Sequence, residues 1–295
     1  MPLTLGLPGW ILRRVTLAHH RRLGPKALPA QSDPADYFNH QYTSTPEYAR
    51  RFMPGIDLVG ARVLDVGCGL GGRMPYWIDA GAATADGVDI NHEELRLGRE
   101  ILDREHPAYS SRIAFLDPGQ LSQRPTADVA ILVDSFEHLV NPRAVLSQCA
   151  AALRPGGLLW IGSIGWYNYL ASHCLGHIPI PWCQVLFSEA DIISTIQALL
   201  RHPDYQPNYW ERSEGIDRWD GITTLRNRPG EPLNQLSLRA IRRELQHPGF
   251  RLVRFKLHPL GARSGIGGLV APLLWVPGLD ELLHGYYTAT LERLP

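Results

Sequence analysis

The stretch that decides the fold is Val63-Leu64-Asp65-Val66-Gly67-Cys68-Gly69-Leu70-Gly71-Gly72. A short apolar run enters closely spaced glycines, and an amphipathic stretch follows. Glycines at these positions let the chain turn sharply and let a ligand lie directly on its backbone. The segment therefore predicts a strand, a ligand-binding turn and a helix.

Similar units repeat outward from this segment, which is typical of a parallel sheet with crossover helices. We predict strands at 62–66, 85–90, 113–117, 127–133 and 158–162, and later strands at 250–257 and 286–291. Asn91 and Asn141 are predicted helix caps, with Pro142 as a first helical residue. The predicted fold is α/β: a Rossmann-like, doubly wound, mostly parallel seven-stranded sheet with an N-terminal helical arm and a lid insertion after strand five.

Four segments follow from this pattern. Residues 1–58 form an N-terminal helical arm or cap, 59–163 the Rossmann-like core, 164–232 an apolar insertion and lid, and 233–295 a helix and the last strands of the sheet. Residues 155–188 contain no Asp, Glu, Lys or Arg. A membrane span is rejected there, because the segment begins as a strand and contains Pro179 and Pro181. Residues 201–232, rich in proline and charge, predict an exposed loop or lid.

Composition narrows the function. The chain has 295 residues and equal numbers of basic and acidic side chains, 29 each. This balance lacks the basic excess of nucleic-acid binders and favours a small-molecule substrate. Four cysteines in no disulfide spacing indicate a reducing, cytoplasmic setting.

The first 32 residues carry five basic residues and no acid. This composition suits a transit peptide or a membrane-surface helix, but an arm that covers the active site is the favoured interpretation. No transmembrane segment is predicted, and peripheral membrane contact remains open. The arm and the apolar insertion are candidate homodimer contacts.

The glycine loop leaves two ligands open. Gly67, Gly69 and Gly72 also match the dinucleotide pattern G-x-G-x-x-G, with Asp89 where a ribose-binding acid belongs. Asp65 favours S-adenosylmethionine (SAM), because a like charge about 4 Å from a pyrophosphate costs roughly 4 kcal/mol at an effective dielectric of 20. An NAD-dependent oxidoreductase is the alternative enzyme, and a non-catalytic SAM-binding protein is the alternative outside enzymes.

With these motifs in order, residues 60–163 resemble the class I SAM-dependent methyltransferases, in particular the ubiquinone-biosynthesis-like (type 11) group. The resemblance implies SAM as the cofactor. It implies that Asp65, Gly67, Cys68 and Gly69 hold the methionine part, that Asp89 binds both ribose hydroxyls, and that Ile90 packs on adenine. Asp117 would read the adenine amino group, and Asp134 and Ser135 would border the transferable methyl.

The acceptor is predicted to be small and apolar or aromatic, with O-methylation favoured over N- or C-methylation. In-line transfer from a sulfonium requires alignment of the nucleophile and a base for a hydroxyl proton. His138, His173 and Tyr167 are the candidate catalytic residues. The candidate acceptor-binding residues come from the insertion: Trp166, Tyr169, His177 and Trp182. His173 and His177 would share a face if helical, but the nearby cysteines match no zinc pattern, so no metal is predicted.

Overall fold

The structure is a computed structural model of the chain, and it describes residues 7–23, 33–175, 177–202, 212–213, 216–217, 219–228, 232–262 and 265–295. The parts of the predicted arm and lid that fall in the gaps between these ranges lie outside the described residues.

Helices and strands alternate through the first half of the chain. The described helices are α1 (Leu7–Leu23), α2 (Pro34–Phe52), α3 (Met74–Asp79), α4 (His92–Glu105), α5 (Pro142–Ala152), α6 (Cys183–Leu186), α7 (Glu189–Leu200), α8 (Leu238–Glu244), α9 (Gly267–Val270) and α10 (Leu279–Leu283). The described strands are β1 (Arg62–Val66), β2 (Thr84–Val88), β3 (Ile113–Leu116), β4 (Ala127–Val133), β5 (Leu153–Ser163), β6 (Arg212–Ser213), β7 (Ile216–Asp217), β8 (Phe250–Pro259) and β9 (His284–Arg293).

Seven strands form one sheet in the order β3-β2-β1-β4-β5-β9-β8, which confirms the predicted fold class. Neighbouring strands from β3 to β5 pair in parallel, and β9 pairs antiparallel to β5. The strand order reverses direction between β1 and β4. In open α/β sheets, ligands bind outside the carboxyl ends of the strands at such a switch point.

Local sequence explains where these elements begin. Asn91 accepts a hydrogen bond from Glu94 N at the start of α4, and Asn141 accepts one from Ala144 N at the start of α5. Both predicted caps are confirmed. Pro142 stands first in α5, where its missing N–H costs no helical hydrogen bond.

Several predicted boundaries were wrong by a few residues. β2 and β3 end before Asp89 and Asp117, so both acids stand just beyond their strands. β5 begins at Leu153 and β9 at His284, both earlier than predicted. Backbone pairing with β4 carries β5 back to Leu153, beyond the apolar run that the sequence shows.

The described residues divide into two compact units. The sheet unit comprises Asp33–Ser163, Ala240–Lys256 and Tyr287–Pro295; the insertion unit comprises the described residues within Met1–Ser32, Ile164–Arg239 and Leu257–Tyr286. Thus α1 is grouped with the insertion, whereas α2 is grouped with the sheet.

The insertion unit has its own apolar core. α1 packs on α7, and Leu12 of α1 belongs to the same buried cluster as Ile192 and Ile196 of α7. Trp219 and Leu225 are also buried in this cluster, so the exposed loop predicted for 201–232 is wrong at these residues, whereas Asp220, Thr223 and Arg226 are exposed as predicted. The apolar residues of this segment pack inward although charged residues surround them in the sequence.

The helical arrangement considered for His173 and His177 was wrong. Residues 171–175 form turns, and His173 has a φ of 54°, which a right-handed helix does not allow. Among the described residues, no helix is long and apolar enough to cross a membrane.

Candidate functional site

The glycine loop lies at the carboxyl end of β1, beside the switch point. Val88 O accepts hydrogen bonds from Gly67 N at 2.8 Å and Cys68 N at 3.3 Å, which fixes the loop against the end of β2. Gly67 has a φ of 73°, and a Cβ there would lie 2.7 Å from Ser135 Oγ. Glycine is required at position 67 because both the backbone conformation and the close approach exclude a side chain.

Asp89 follows β2 and joins the loop to the start of α4. Its Oδ2 accepts a hydrogen bond from Gly69 N at 2.8 Å, and its Oδ1 accepts one from Asn91 N at 2.9 Å. The side chain is half-buried. A carboxylate has about four acceptor positions, so each oxygen can accept one further donor. This arrangement fits a ligand that presents two hydroxyl groups.

Asp65 lies within β1, and only 3% of the residue is exposed. Its Oδ2 accepts a hydrogen bond from Trp77 Nε1 at 2.7 Å. Burial raises the pKa of the Asp65 carboxyl, while the Trp77 hydrogen bond and the charge of Arg73 oppose the rise. The Asp65 side chain is thus held in place by Trp77, within the protein itself.

Carboxylates surround the loop. Burial, followed by the charges of Asp65, Asp89 and Glu94, raises the pKa of the Cys68 thiol well above its ordinary value. A Cβ on Gly69 would lie 2.8 Å from Glu94 Oε2, so this carboxylate reaches the loop backbone. A phosphate would be repelled by this group of acids, whereas a sulfonium or ammonium would be attracted.

The predicted adenine-binding residues stand beyond the ends of β2 and β3. Ile90 is 73% exposed, so its apolar surface is available to a flat ring. Asp117 N donates to Gln120 Oε1, and Asp117 Oδ1 lies 2.5 Å from His92 Nδ1 on an exposed surface. The role of Asp117 in reading adenine stays a prediction.

Asp134 and Ser135 follow β4 at the switch point. Asp134 has a φ of 52°, a strained conformation of the kind that clusters at functional sites. Its Oδ2 accepts a hydrogen bond from Arg73 Nη2 at 3.2 Å. Ser135 Oγ donates to Val133 O or Gly67 O, and thus ties the end of β4 to the glycine loop.

A buried carboxyl group lies immediately before His138. Glu137 is buried, and its Oε2 accepts a hydrogen bond from Ser163 Oγ at 2.5 Å. Burial raises the pKa of Glu137, and the neighbouring His138 opposes the rise. His138 is half-buried, and its backbone N donates to Ser135 O in the turn after β4.

The remaining predicted site residues belong to the insertion unit. Trp166 is partly buried against the apolar core, and Tyr167 is 41% exposed. The rings of Tyr169 and Trp182 are 5.9 Å apart, and Trp182 Nε1 is a buried donor with no acceptor among the described residues. His177 is buried with its ring 5.6 Å from the ring of Trp219.

Sequence reasoning missed residues that shape the sheet-unit site. Trp77 binds Asp65, Arg73 binds Asp134, and Glu94 reaches Gly69. The sequence places Glu94 in the first turn of a helix but does not show that it lies beside the loop. The available signal was its place on the first turn of α4, three residues after Asn91.

The site suits SAM on its donor and acceptor chemistry. The glycines leave the loop backbone open, Asp89 has acceptor positions for hydroxyl groups, and several acids favour a cationic ligand. A dinucleotide satisfies the first two conditions and fails the third.

Comparison with known families agrees with this geometry. The chain matches the family model described as a methyltransferase domain over residues 38–254. The chain therefore belongs to this methyltransferase family, and the predicted class, a SAM-dependent methyltransferase, is confirmed. The family match sets aside the oxidoreductase alternative.

Curated relatives match part of the chain. A ubiquinone biosynthesis O-methyltransferase of Idiomarina loihiensis is 29% identical over 129 residues, which is 41% of this chain and 53% of the relative. The protein of the same name from Thiobacillus denitrificans is 26% identical over 45% of this chain and 56% of the relative. The chain thus spans about half the length of these relatives.

Solved structures give broader and weaker matches. A SAM-dependent methyltransferase from Mesorhizobium loti has a TM-score of 0.48 and 16% identity, over 81% of this chain and 93% of that one. Magnesium protoporphyrin IX methyltransferase from Synechocystis PCC 6803, with bound SAH, has a TM-score of 0.46 and 17% identity, over 96% of this chain and 99% of that one.

Proposed function

We propose that this protein methylates a hydroxyl oxygen of a small apolar or aromatic acceptor, with SAM as the methyl donor. The observation that carries the proposal is the acid-lined glycine loop at the switch point, with Asp89 half-buried and holding Gly69 N. The relatives named O-methyltransferases support oxygen as the nucleophile.

SAM supplies a methyl group on a sulfonium, so the protein contributes alignment, exclusion of water and removal of a proton. The proposed cofactor contacts are Asp89 with the ribose hydroxyls, Ile90 with adenine and the loop backbone from Gly67 to Gly69 with the methionine part. In this proposal Asp65 and Glu94 contribute negative charge around the cationic end.

His138 is the proposed base for the acceptor hydroxyl. Histidine is the side chain best suited to accept a proton near neutral pH. Glu137 is the adjacent residue, and its interaction with Ser163 keeps a carboxyl group fixed beside the turn that carries His138. Glu137 is therefore the proposed positioning residue for this turn.

The residues that the sequence proposes as acceptor contacts belong to the insertion unit. Residues 155–188 carry no charged side chain, which suits an apolar acceptor. The Nε1–H of Trp182 is buried and has no hydrogen-bond acceptor among the described residues. Tyr169 offers a ring beside Trp182 for aromatic contact.

Transfer from methyl-labelled SAM tests the proposal. Purified protein is incubated with catechols, long-chain phenols, aliphatic amines and carbon acids, and mass spectrometry locates the label. We expect labelled ethers from apolar phenols. Labelled amines or carbon products alone would contradict O-methylation, and SAM binding without transfer to any acceptor would indicate a non-catalytic protein.

The base is tested on the acceptor found in that screen. His138→Gln should lower kcat about 10²-fold or more, as expected for loss of a general base. His173→Gln and Tyr167→Phe test the other two candidates in the same assay. His40→Gln is the matched control, because His40 is exposed on α2. Unchanged kcat in His138→Gln would remove His138 from catalysis.

A further inference from the structure

The first helix has an unusual charge. α1 contains Arg13, Arg14, Arg21 and Arg22 and no acidic residue. All four arginines are exposed. A surface helix of a soluble protein usually mixes both signs, so this helix carries a local positive charge in a chain whose overall charge is zero.

Packing fixes which side of α1 faces outward. Leu12 and Thr16 are fully buried, one turn apart, on the side that packs against α7. His20, one further turn along, lies with its Nε2 2.6 Å from His177 O of the same unit. The opposite side of the helix therefore faces away from this core.

That outward side carries large apolar side chains among the arginines. Trp10, Ile11 and Val15 are 50%, 45% and 44% exposed. The Arg14 guanidinium lies 5.2 Å from the centre of the Trp10 ring. Single exposed apolar residues need no explanation, but an aromatic and two β-branched residues within six positions form an exposed apolar strip with arginines between them.

We infer that α1 binds the surface of an anionic phospholipid bilayer. Tryptophan and aliphatic side chains enter the boundary between headgroups and acyl chains, and arginine stems extend along it with their guanidinium groups at the phosphates. Charge complementarity favours a bilayer with anionic lipid over a neutral one. This inference is independent of the proposed methyl acceptor.

Vesicle flotation with the full chain tests it. The protein is mixed with vesicles of phosphatidylcholine alone or of phosphatidylcholine with phosphatidylglycerol. We expect binding to the mixed vesicles, weakened by added salt, and little binding to the neutral ones. No binding of the wild-type protein to either kind of vesicle would overturn the inference.

Variants test the helix directly. The double variant Arg14→Gln/Arg21→Gln keeps residues that form helices well. Each basic residue near an anionic surface contributes roughly fivefold to membrane partitioning, so loss of two should weaken binding to the mixed vesicles about 30-fold. The control Arg112→Gln/Arg243→Gln removes the same charge from exposed positions of the sheet unit. Equal partitioning of both double variants would contradict a specific role for α1.

Trp10→Ser tests the apolar part of the contact. At high salt the electrostatic contribution to vesicle binding is screened and the apolar contribution remains. We therefore expect Trp10→Ser to bind the vesicles more weakly than the wild-type protein at high salt. Circular dichroism and affinity for S-adenosylhomocysteine should be unchanged, which shows that the fold persists. If Trp10→Ser instead dissociates a homodimer in sedimentation and leaves flotation unaltered, the strip is an interface between two copies and the lipid inference is wrong.

Discussion

Replacing Asp89 with alanine should remove most of the affinity for the cofactor. In the wild-type protein, the two oxygens of the Asp89 carboxylate accept hydrogen bonds from Gly69 N and Asn91 N. Each oxygen has a further acceptor position, which we propose binds a ribose hydroxyl. A hydrogen bond to a charged group contributes about 1.5–3 kcal/mol. Loss of two such bonds raises Kd by about 10²–10⁴-fold.

Asp89→Asn should have a smaller effect. It keeps one neutral acceptor and places an NH₂ group where a backbone N–H also points, so we expect a rise in Kd of about 10–200-fold. Both variants are measured by isothermal titration of S-adenosylhomocysteine, well below the melting transition. The temperature matters because loss of the anchors to Gly69 and Asn91 also lowers the stability of the loop.

Asp86→Ala is the matched control for this series. Asp86 lies on β2, the strand that ends just before Asp89, and its carboxylate pairs with Arg124 at 2.6 Å on a partly exposed surface. Such a pair contributes only about 0–1 kcal/mol to stability, so the fold should persist without it. Because the Asp86 carboxylate pairs with Arg124 and not with the glycine loop, the Kd for S-adenosylhomocysteine should change less than about twofold. Binding of Asp89→Ala within about threefold of wild type, with the fold intact, would refute the proposed role of Asp89.

Three further variants, one of them with a matched control, test the packing and the buried charge around this site. Gly67→Ala should lower both the thermal midpoint and cofactor affinity, because its Cβ has no room, whereas Gly119→Ala, which meets nothing within 4 Å, should change neither. Trp77→Phe removes the donor to buried Asp65 and should lower the free energy of unfolding in urea by about 2 kcal/mol or more. Glu137→Gln should become more stable relative to wild type as pH rises, by up to about 1.4 kcal/mol per pH unit. The sign follows because burial raises the pKa of Glu137, so the wild-type protein loses stability as pH rises from the unfolded value through the folded one. A difference independent of pH between 5 and 8 would contradict this reasoning.

The sheet was predictable because its signals are local. Each parallel strand is a short apolar run bounded by polar or glycine residues, and β1 and β4 were predicted with the bounds that the structure shows. A helix cap depends on one side chain and on a backbone N–H three residues later. The caps Asn91 and Asn141 were therefore also predictable from the sequence. The acids at the strand ends followed from the same pattern.

The insertion was not predictable to the same degree, because its structure depends on distant contacts. The sequence around Trp219 is charged and suggested exposure, yet Trp219 is buried in the same cluster as Leu12, which lies more than 200 residues earlier in the chain. Arg228 is buried over the Trp219 ring, with its guanidinium 5.1 Å from the ring centre. A cation–π contact of this kind leaves no periodic pattern in a single sequence.

The sequence argument for SAM depended on the charge of Asp65, and the structure places further acids at the same loop. Asp65 alone was expected to discriminate against phosphate, but it is buried and bonded to Trp77, so it does not act alone. Asp89 accepts a hydrogen bond from Gly69 N, and the Glu94 carboxylate lies beside the same glycine, so both add their charges at this loop. One like charge about 4 Å from a phosphate costs roughly 4 kcal/mol at an effective dielectric of 20, and additional acids increase the penalty. Glu94→Gln should therefore weaken SAM more than its neutral-sulfur product S-adenosylhomocysteine, whereas a role limited to capping α4 would weaken both equally.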